Sequence, residues 1–280
     1  MMKVCDLMVE DVFYVTLPGT RDDVLRILTE KQVSGVPVLK DGKVVGIVTR
    51  SDLFDNPEED QLALLMTRYP ITIGPDASIK DAVTLLVEYE IRRLPVVTLD
   101  NTLVGIITVE DLVKVVADLD SDESIEPYLT KGVLTVWEET PLPVVGRIME
   151  LGRARAACVL DSNERLSGLI TDRDLIRAAI IKDSTEHHSG EATGSDMDEW
   201  TWEAIRDVHK FYYGVSKIHL PDIPVKDVMV RKLFTSTRDA SVSECAKSMV
   251  KYDFDQIPIV NENNRLIALL RDRDLLKALI

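Results

Sequence analysis

A threonine followed three residues later by an aspartate recurs along this chain, and both side chains could bind a ligand. The pattern occurs in the phrases GIVTRSDL, GIITVEDL and GLITDRDL, which contain the pairs Thr49 and Asp52, Thr108 and Asp111, and Thr171 and Asp174. A hydroxyl can donate a hydrogen bond to a phosphate oxygen, and a carboxylate can accept hydrogen bonds from the hydroxyls of a ribose. One interpretation of the pattern is therefore a set of small-molecule sites.

The same spacing has a purely structural interpretation. A threonine followed by an acid three residues later is typical of a capping box, in which two side chains satisfy free backbone N–H groups in the first turn of a helix. The start of a helix also presents those N–H groups and the positive end of its dipole to an anion. Because one residue can be both a cap and a ligand contact, the spacing leaves both interpretations open.

A fourth phrase, ALLRDRDL, departs from the other three. It keeps the aspartate, Asp274, but has Arg271 in place of the threonine and Ala268 in place of the glycine. The start of its helix therefore lacks the hydroxyl that would cap the helix or donate to a ligand. We predict that the fourth site is altered or vacant.

The phrases belong to a repeat of about 60 residues, with an insertion of about 40 residues before the last copy. Each copy predicts a short strand, an amphipathic helix, a β-hairpin whose turn is rich in Asp, Asn and Gly, and a second helix. Capping boxes are predicted for the first helices of three copies, at Thr20 with Asp23, Ser78 with Asp81, and Ser241 with Glu244. In the remaining copy we predict that Thr140 caps the helix and that Pro141 is its first residue.

Composition restricts the class of protein. The chain has 280 residues and a formal net charge of −15, which argues against a nucleic-acid partner or an anionic membrane surface. No apolar run reaches the length of a membrane span, and the three cysteines, Cys5, Cys158 and Cys245, are too far apart to suggest a disulfide framework. We expect a cytoplasmic protein with three buried thiols.

Catalytic motifs are missing from the sequence, so we expect that the protein is not an enzyme. The adjacent His187 and His188 lie in a polar stretch and do not predict a metal site, because neighbouring side chains on a regular element point in different directions. We expect no resident cofactor.

The repeats divide the chain, because a unit of about 60 residues buries its apolar surface poorly alone and is expected to pair with a neighbour. Two units come before the acidic stretch DLDSDESIEP and two after it. The insertion contains aromatic residues on a predicted helix, which is expected to cover its own module or to dock a partner. The predicted ranges are 1–60, 61–120 and 121–182 for the first three repeats, 183–222 for the insertion and 223–280 for the fourth repeat.

The four units resemble CBS domains, which are named after cystathionine beta-synthase. The hydrophobic-Pro-Val strand, the Gly-hydrophobic-hydrophobic-Thr strand end and the trailing Asp all follow in the order typical of that family. The resemblance implies an α/β (α+β) fold in which each repeat is a small sheet with two helices. It also implies two Bateman modules, each made of two adjacent repeats with two clefts between them, which bind adenosyl ligands and report them to another protein.

The resemblance also implies which residues face each helix start. The other wall of a cleft should be formed by the first strand of the partner repeat and by the segment around the proline of its hairpin. Asp52 should then face Thr72, Arg93, Leu94 and Pro95, Asp111 should face Tyr14, Thr16, Val36 and Pro37, and Asp174 should face Thr235, Gln256 and Ile257. The third repeat departs from the pattern, because Cys158 stands at the proline position.

The nature of the ligand depends on compensating charge. Candidate cations for a phosphate are Arg50, Arg92, Arg93, Arg173, Arg271 and Arg273, each of which could instead form a surface salt bridge, for example with Asp172 or Asp272. We expect AMP, ADP or ATP, with S-adenosylmethionine or a related thioether as the alternative. The predicted function is a regulatory ligand sensor, and the alternative is a regulatory subunit or scaffold for a separate enzyme, transporter or transcription factor.

The partners implied are thus an adenosyl small molecule and a protein effector. Each predicted module has helical faces rich in Leu, Val and Ile, and two modules in one chain could close on each other. We expect a monomeric disk or a homodimer of such chains.

Overall fold

The computed structural model of the chain describes residues 2–56, 59–130, 132–179 and 220–280. These residues form small sheets with helices packed against them, which confirms the predicted α/β fold class. The aromatic helix predicted within the insertion lies outside the described residues.

The strands of the described residues form four sheets, one for each repeat. The strands are β1 (Val15–Thr16), β2 (Gly35–Lys40), β3 (Lys43–Thr49), β4 (Thr67–Arg68), β5 (Arg93–Val97), β6 (Leu103–Thr108), β7 (Thr135–Trp137), β8 (Ala156–Leu160), β9 (Leu166–Thr171), β10 (Gln256–Val260) and β11 (Leu266–Arg271).

The helices follow the predicted alternation, one before and one after each hairpin, with the short helix Leu62–Leu65 as an addition at the start of the second repeat. They are α1 (Arg21–Glu30), α2 (Arg50–Asp55), α3 (Leu62–Leu65), α4 (Ile79–Glu88), α5 (Val109–Ala117), α6 (Leu142–Leu151), α7 (172–179), α8 (Val242–Tyr252) and α9 (Asp272–Leu275). Single 3-10 turns are formed by Val4–Asp6, Glu126–Tyr128, Val225–Asp227 and Leu276–Leu279.

The predicted caps are present at three of the four first helices. Thr20 and Ser78 form the complete capping boxes that were predicted, whereas Ser241 forms only half of its predicted box, in which its hydroxyl accepts a hydrogen bond from the backbone N–H of Glu244 at 3.2 Å. These bonds satisfy N–H groups that have no partner within their own helix.

The predicted cap at Thr140 is wrong. Helix α6 begins at Leu142, and Pro141 occupies the N-cap position. The backbone N–H of Leu142 donates instead to the carbonyl of Ile223 at 2.8 Å, so a neighbouring segment of the chain satisfies the helix start without a threonine.

Each hairpin is completed by a strand that comes from the partner repeat. In the first repeat, Ile47 of β3 pairs with Thr67 of β4, which lies near the start of the second repeat. In the second repeat, Ile106 of β6 pairs with Val9 from the start of the first repeat. The two repeats of a module therefore exchange edge segments.

This exchange explains the glycine of the recurring phrase. A side chain added at Gly46, Gly105 or Gly168 would clash with the sulfur of a methionine on the crossing segment. The methionines are Met66, Met8 and Met229 respectively. Glycine is thus required by the close approach of the crossing segment, and not by an unusual backbone angle.

The two modules are joined through the second and fourth repeats. One hydrophobic core contains Leu86 and Leu112 of the second repeat together with Ala246 and Leu275 of the fourth, and helices α5 and α8 pack against each other within it. The first and third repeats have separate cores. Closure into a monomeric disk or a homodimer stays a prediction.

The prediction of three buried thiols is wrong for one of them. Cys158 and Cys245 are buried, and burial raises the pKa of these thiols to about 12 and about 11. Cys5 is exposed, because the 3-10 turn that contains it directs Val4 into the core instead.

Candidate functional site

The three intact helix starts all form the predicted capping box. The backbone N–H and the hydroxyl of Thr49 each donate to Oδ2 of Asp52 at 2.7 Å. Thr171 donates to Oδ2 of Asp174 in the same way, at 2.9 Å and 2.7 Å. The pair Thr108 and Asp111 repeats the arrangement at 3.0 Å and 2.7 Å. Because one carboxylate oxygen caps the helix, the other oxygen, Oδ1, decides whether the aspartate can also bind a ligand.

The Oδ1 atoms differ in how far the protein already satisfies them. Oδ1 of Asp111 lies 3.3 Å from the ammonium of Lys114, and Oδ1 of Asp52 accepts a long hydrogen bond of 3.5 Å from Thr67. Within the described residues, Oδ1 of Asp174 has no hydrogen-bond donor. The helix start of the third repeat therefore has the carboxylate oxygen that is most available to a ligand.

The fourth helix start is occupied by the protein's own cations. Nε of Arg271 donates to Oδ2 of Asp274 at 2.8 Å, and the hydroxyl of Thr130 donates to the same oxygen at 2.9 Å. Oδ1 lies 3.3 Å from Nη2 of Arg271 and 3.6 Å from Lys277. Burial favours the neutral form of Asp274, but the hydrogen bond and charge of Arg271 outweigh it and lower the pKa of Asp274.

The structure brings Arg93 to the first helix start, as expected from the resemblance. Arg93 lies on β5 of the second repeat, and its guanidinium Nη2 donates to the hydroxyl of Ser34 in the first repeat. A Cβ atom on Gly35 would clash with Nη1 of Arg93 and would lie 2.8 Å from Cγ2 of Thr49. The glycine therefore leaves room for a guanidinium beside the threonine.

The other predicted wall residues differ in their exposure. The side chains of Val36, Leu94 and Ile257 are buried in the helical cores, so these residues could offer a ligand only their backbone. Pro37 and Pro95 are also buried, Tyr14, Thr16 and Thr235 are exposed, and Thr72 and Gln256 are partly buried. Among the described residues, no hydrogen bond connects any of these ten to the aspartate it was expected to face.

Seven charged residues from all four repeats meet where the modules contact each other, and we call them the central charge cluster. They are Arg50 of the first repeat, Arg92 and Arg93 of the second, Arg155 and Asp172 of the third, and Asp255 and Asp272 of the fourth.

Asp172 connects the first and third repeats. Its Oδ2 accepts hydrogen bonds of 3.1 Å from both Nε and Nη2 of Arg155, and its Oδ1 lies 3.6 Å from Nη1 of Arg50. Both Arg50 and Asp172 are buried, which makes this an ion pair of the interior.

Arg92 connects the second and fourth repeats. Its guanidinium binds Asp272 through two parallel hydrogen bonds of 2.7 Å and 2.5 Å, and Asp255 lies 3.4 Å from Nη2. Burial disfavours the charge of Arg92, but the charge and hydrogen bonds of Asp272 outweigh it and raise the pKa of Arg92.

Arg93 is the exception in the cluster. Its Nη1 is buried without a hydrogen-bond partner, and none of the carboxylates in the described residues forms an ion pair with its guanidinium. Burial, followed by the charges of Arg155, Arg92 and Arg50, lowers the pKa of Arg93 to about 9. At neutral pH the guanidinium is charged and buried, and the charge of Asp172 acts on it from beyond ion-pair distance, which is a costly arrangement unless an anion joins it.

The remaining predicted cations have partners or are exposed. The salt-bridge alternative is correct for Arg50, Arg92 and Arg271, although the bonds of Arg50 and Arg92 are interior contacts between repeats and not surface pairs. Arg273 lies 3.5 Å from Glu90, and Arg173 is exposed.

Sequence analysis missed Arg155 and Asp255. Both occupy the same place in their repeats as Arg92, two residues before the hydrophobic residue of the hairpin strand, while Arg50, Asp172 and Asp272 all follow the threonine position. These two positions carry charges of both signs across the four repeats, but the sequence does not show which of the charges meet.

The chain is built from small α/β repeats that pair and exchange edge segments. Capped helix starts lie near the exchanged segments. These features define a class of tandem repeat modules. The family model of the CBS domain matches residues 4–59, 61–118, 124–181 and 225–280, and the chain belongs to this family.

Proteins of similar length share this arrangement. The chain is 26% identical over 276 residues to the uncharacterised protein MJ1225 of Methanocaldococcus jannaschii. The aligned region covers 90% of each chain. The crystal structure of MJ1225 matches with a TM-score of 0.80 at 22% identity and covers 100% of both chains. A conserved protein from Pyrococcus horikoshii gives a TM-score of 0.66 at 28% identity, again over 100% of both chains.

Part of the chain also matches a larger enzyme. It is 34% identical over 105 residues to inosine-5'-monophosphate dehydrogenase of Korarchaeum cryptofilum. The aligned region covers 37% of this chain and 22% of that enzyme. Across the described residues, no helix is both long and apolar enough to cross a membrane.

Proposed function

We propose that the protein is a regulatory sensor that binds an adenine nucleotide in the clefts of its CBS modules. The observation that carries the proposal is Arg93, whose Nη1 is buried and has no partner within the described residues. A buried guanidinium is a strong receptor for a phosphate, because it offers several fixed donors and full positive charge in a low dielectric.

The residues around Arg93 have complementary roles in this proposal. Asp52 lies in the first turn of α2, and its Oδ1, which among the described residues accepts one long bond from Thr67, would accept hydrogen bonds from a ribose. Arg93 reaches the same helix start from the partner repeat and would bind the phosphate. In the second module, Oδ1 of Asp174, which has no donor among the described residues, would have the same ribose-binding role.

A sensor fits this chain better than an enzyme, in our proposal, because the four family matches cover 228 of the 280 residues. The family resemblance suggests that modules of this kind report an adenosyl ligand to another protein, so we propose a separate protein effector and a cytoplasmic location. We still expect no resident cofactor, and we propose that the nucleotide binds reversibly.

Isothermal titration calorimetry with AMP, ADP, ATP, S-adenosylmethionine and adenosine tests the proposal. We expect a dissociation constant of about 1 μM or lower for at least one nucleotide, equivalent to about −8 kcal/mol. Arg93→Ala should weaken that nucleotide by at least about tenfold and leave adenosine unchanged, because the lost bond is to the phosphate. Arg147→Ala, which removes a surface guanidinium paired with Glu150, is the matched control and should change neither.

Two results would overturn the proposal. The first is the absence of heat and of a thermal shift with every nucleotide at millimolar concentration. The second is tighter binding of S-adenosylmethionine than of any nucleotide, which would favour the thioether alternative. Mass spectrometry of small molecules released from the purified protein gives an independent identification of the ligand.

A further inference from the structure

The central charge cluster has a fixed balance of charges. It contains four guanidinium groups and three carboxylates, and each carboxylate is bound to an arginine other than Arg93. Arg93 is therefore the one guanidinium of the cluster that lacks a carboxylate among the described residues. The cluster has a net excess of about one positive charge, and this excess lies on the group that the proposed ligand would contact.

Because the central charge cluster is largely buried, its charge balance affects the free energy of ligand binding. Arg50, Arg93, Asp172 and Asp272 are between 3% and 8% exposed, so water screens their interactions poorly. In such surroundings an uncompensated charge of either sign is unfavourable. The cluster should accept an anion that neutralises Arg93 and should resist any anion that brings several further negative charges.

The cations nearby cannot easily compensate for more phosphates. Arg173 is exposed and therefore screened by solvent, and Arg273 faces Glu90 at 3.5 Å. A second or third phosphate placed beside Arg93 would add negative charge near Asp172, whose charge already acts on this guanidinium, and near the Asp272 that holds the neighbouring Arg92. Like charges in close contact destabilise each other, so each added phosphate would lower the affinity.

We infer that Asp172 and Asp272, assisted by Asp255, are specificity-determining residues that restrict the nucleotide at Arg93 to a single phosphate. The inference depends on the proposed nucleotide function and adds the class of ligand, a nucleoside monophosphate. A phosphate monoester carries a charge of about −1.5 to −2 at neutral pH, which matches the excess on Arg93 more closely than a diphosphate or triphosphate does.

The ratio of the AMP and ATP dissociation constants tests the inference, measured by calorimetry without divalent cations. We expect wild-type protein to bind AMP at least about tenfold more tightly than ATP, which corresponds to about 1.4 kcal/mol. Asp272→Asn keeps the shape of the side chain, removes one negative charge and releases Arg92, so the preference should move toward ATP by at least about tenfold. Asp100→Asn removes a charge of the same sign from an exposed hairpin turn, where Asp100 pairs with Lys43, and should leave the ratio unchanged.

Asp255→Asn keeps the test decisive if the buried Asp272→Asn variant does not fold. Its side chain is 41% exposed and lies 3.4 Å from Arg92, so the exchange should be tolerated and should move the ratio in the same direction by about threefold. A wild-type protein that binds ATP as tightly as AMP contradicts the inference, as does an unchanged ratio in both variants. Either result leaves the proposed function standing, whereas the absence of binding to all nucleotides would refute the proposed function itself.

Discussion

The third and fourth repeats belong to the same module, but their second helices start differently. The third repeat has Thr171 where the fourth has Arg271. Thr171 directly precedes α7 and caps it together with Asp174. Oδ1 of that aspartate is left without a donor among the described residues. Arg271 begins α9 and binds both oxygens of Asp274, with Thr130 and Lys277 as further partners. The two aspartates are both buried, yet one has an oxygen available and the other does not.

The comparison shows that conservation of the aspartate does not by itself preserve a ligand site. A threonine uses one carboxylate oxygen, whereas an arginine at the same position can use both and also neutralises the charge. The fourth aspartate has become part of an internal ion pair. We therefore expect the third helix start to matter for ligand affinity and the fourth to matter for stability.

The largest expected effect is on ligand binding. Asp174→Ala should weaken adenosine or AMP at one site by at least about tenfold, because charge-assisted hydrogen bonds worth about 1.5 to 3 kcal/mol are lost. Asp274→Ala should weaken binding by less than about threefold, because its oxygens are already occupied. Calorimetry of the two variants side by side measures the difference, and equal losses would refute the comparison.

Stability should show the opposite order. Asp274→Ala removes the partner of Arg271 and Thr130 from a buried position and should cost about 1 to 3 kcal/mol in the free energy of unfolding. Asp174→Ala removes only a cap and should cost about 0.5 to 2 kcal/mol, the smaller of the two losses. Urea denaturation without ligand measures both, and a larger loss for Asp174→Ala would contradict the assignment of Asp274 to an ion pair.

The comparison can also be reversed by restoring the threonine. Arg271→Thr rebuilds the spacing of the other three copies and releases one oxygen of Asp274, so adenosine binding at the fourth helix start should improve by about threefold or more. The number of adenosine equivalents bound at saturation is the direct measurement. Arg265→Thr, a change of the same kind at an exposed hairpin turn, should leave that number unchanged and serves as the control.

The smallest expected effect is on the pH dependence of stability. Because the pKa of Asp274 is lowered from its usual value of 3.8, the stabilisation from its ionised form is present above that value and is lost as the pH falls through the lower, folded pKa. Asp274→Asn lacks this contribution at every pH. The difference in unfolding free energy between the wild type and Asp274→Asn should therefore shrink below about pH 4. A difference that stays constant down to pH 2 would show that the carboxylate is not ionised in the fold.

Local patterns in the sequence predict much of this structure. The repeat, the hairpins and the three threonine caps follow from spacing, because each depends on residues within a few positions of one another. The altered fourth copy is also visible, since Arg271 stands where a threonine recurs. The misplaced cap at Thr140 shows the limit, because a contact from Ile223, far away in the chain, satisfies that helix start instead.

Contacts between repeats are the part that sequence reasoning could not supply. The methionines that fill the space above the glycines come from the partner repeat, and their pairing depends on the exchanged edge segments. The central charge cluster requires all four repeats to meet, so no single copy indicates that Arg50 pairs with Asp172 or that Arg92 pairs with Asp272. Exposure of Cys5 depends on the orientation of a single 3-10 turn.

A crystal structure of the protein grown with AMP tests the central claim most directly. The account predicts a nucleotide whose phosphate contacts Nη1 of Arg93, a ribose on an aspartate that follows a threonine, and no ligand on Asp274, which should keep its bonds to Arg271. Four equivalent nucleotides, or a ribose bound to Asp274 with Arg271 displaced, would contradict it.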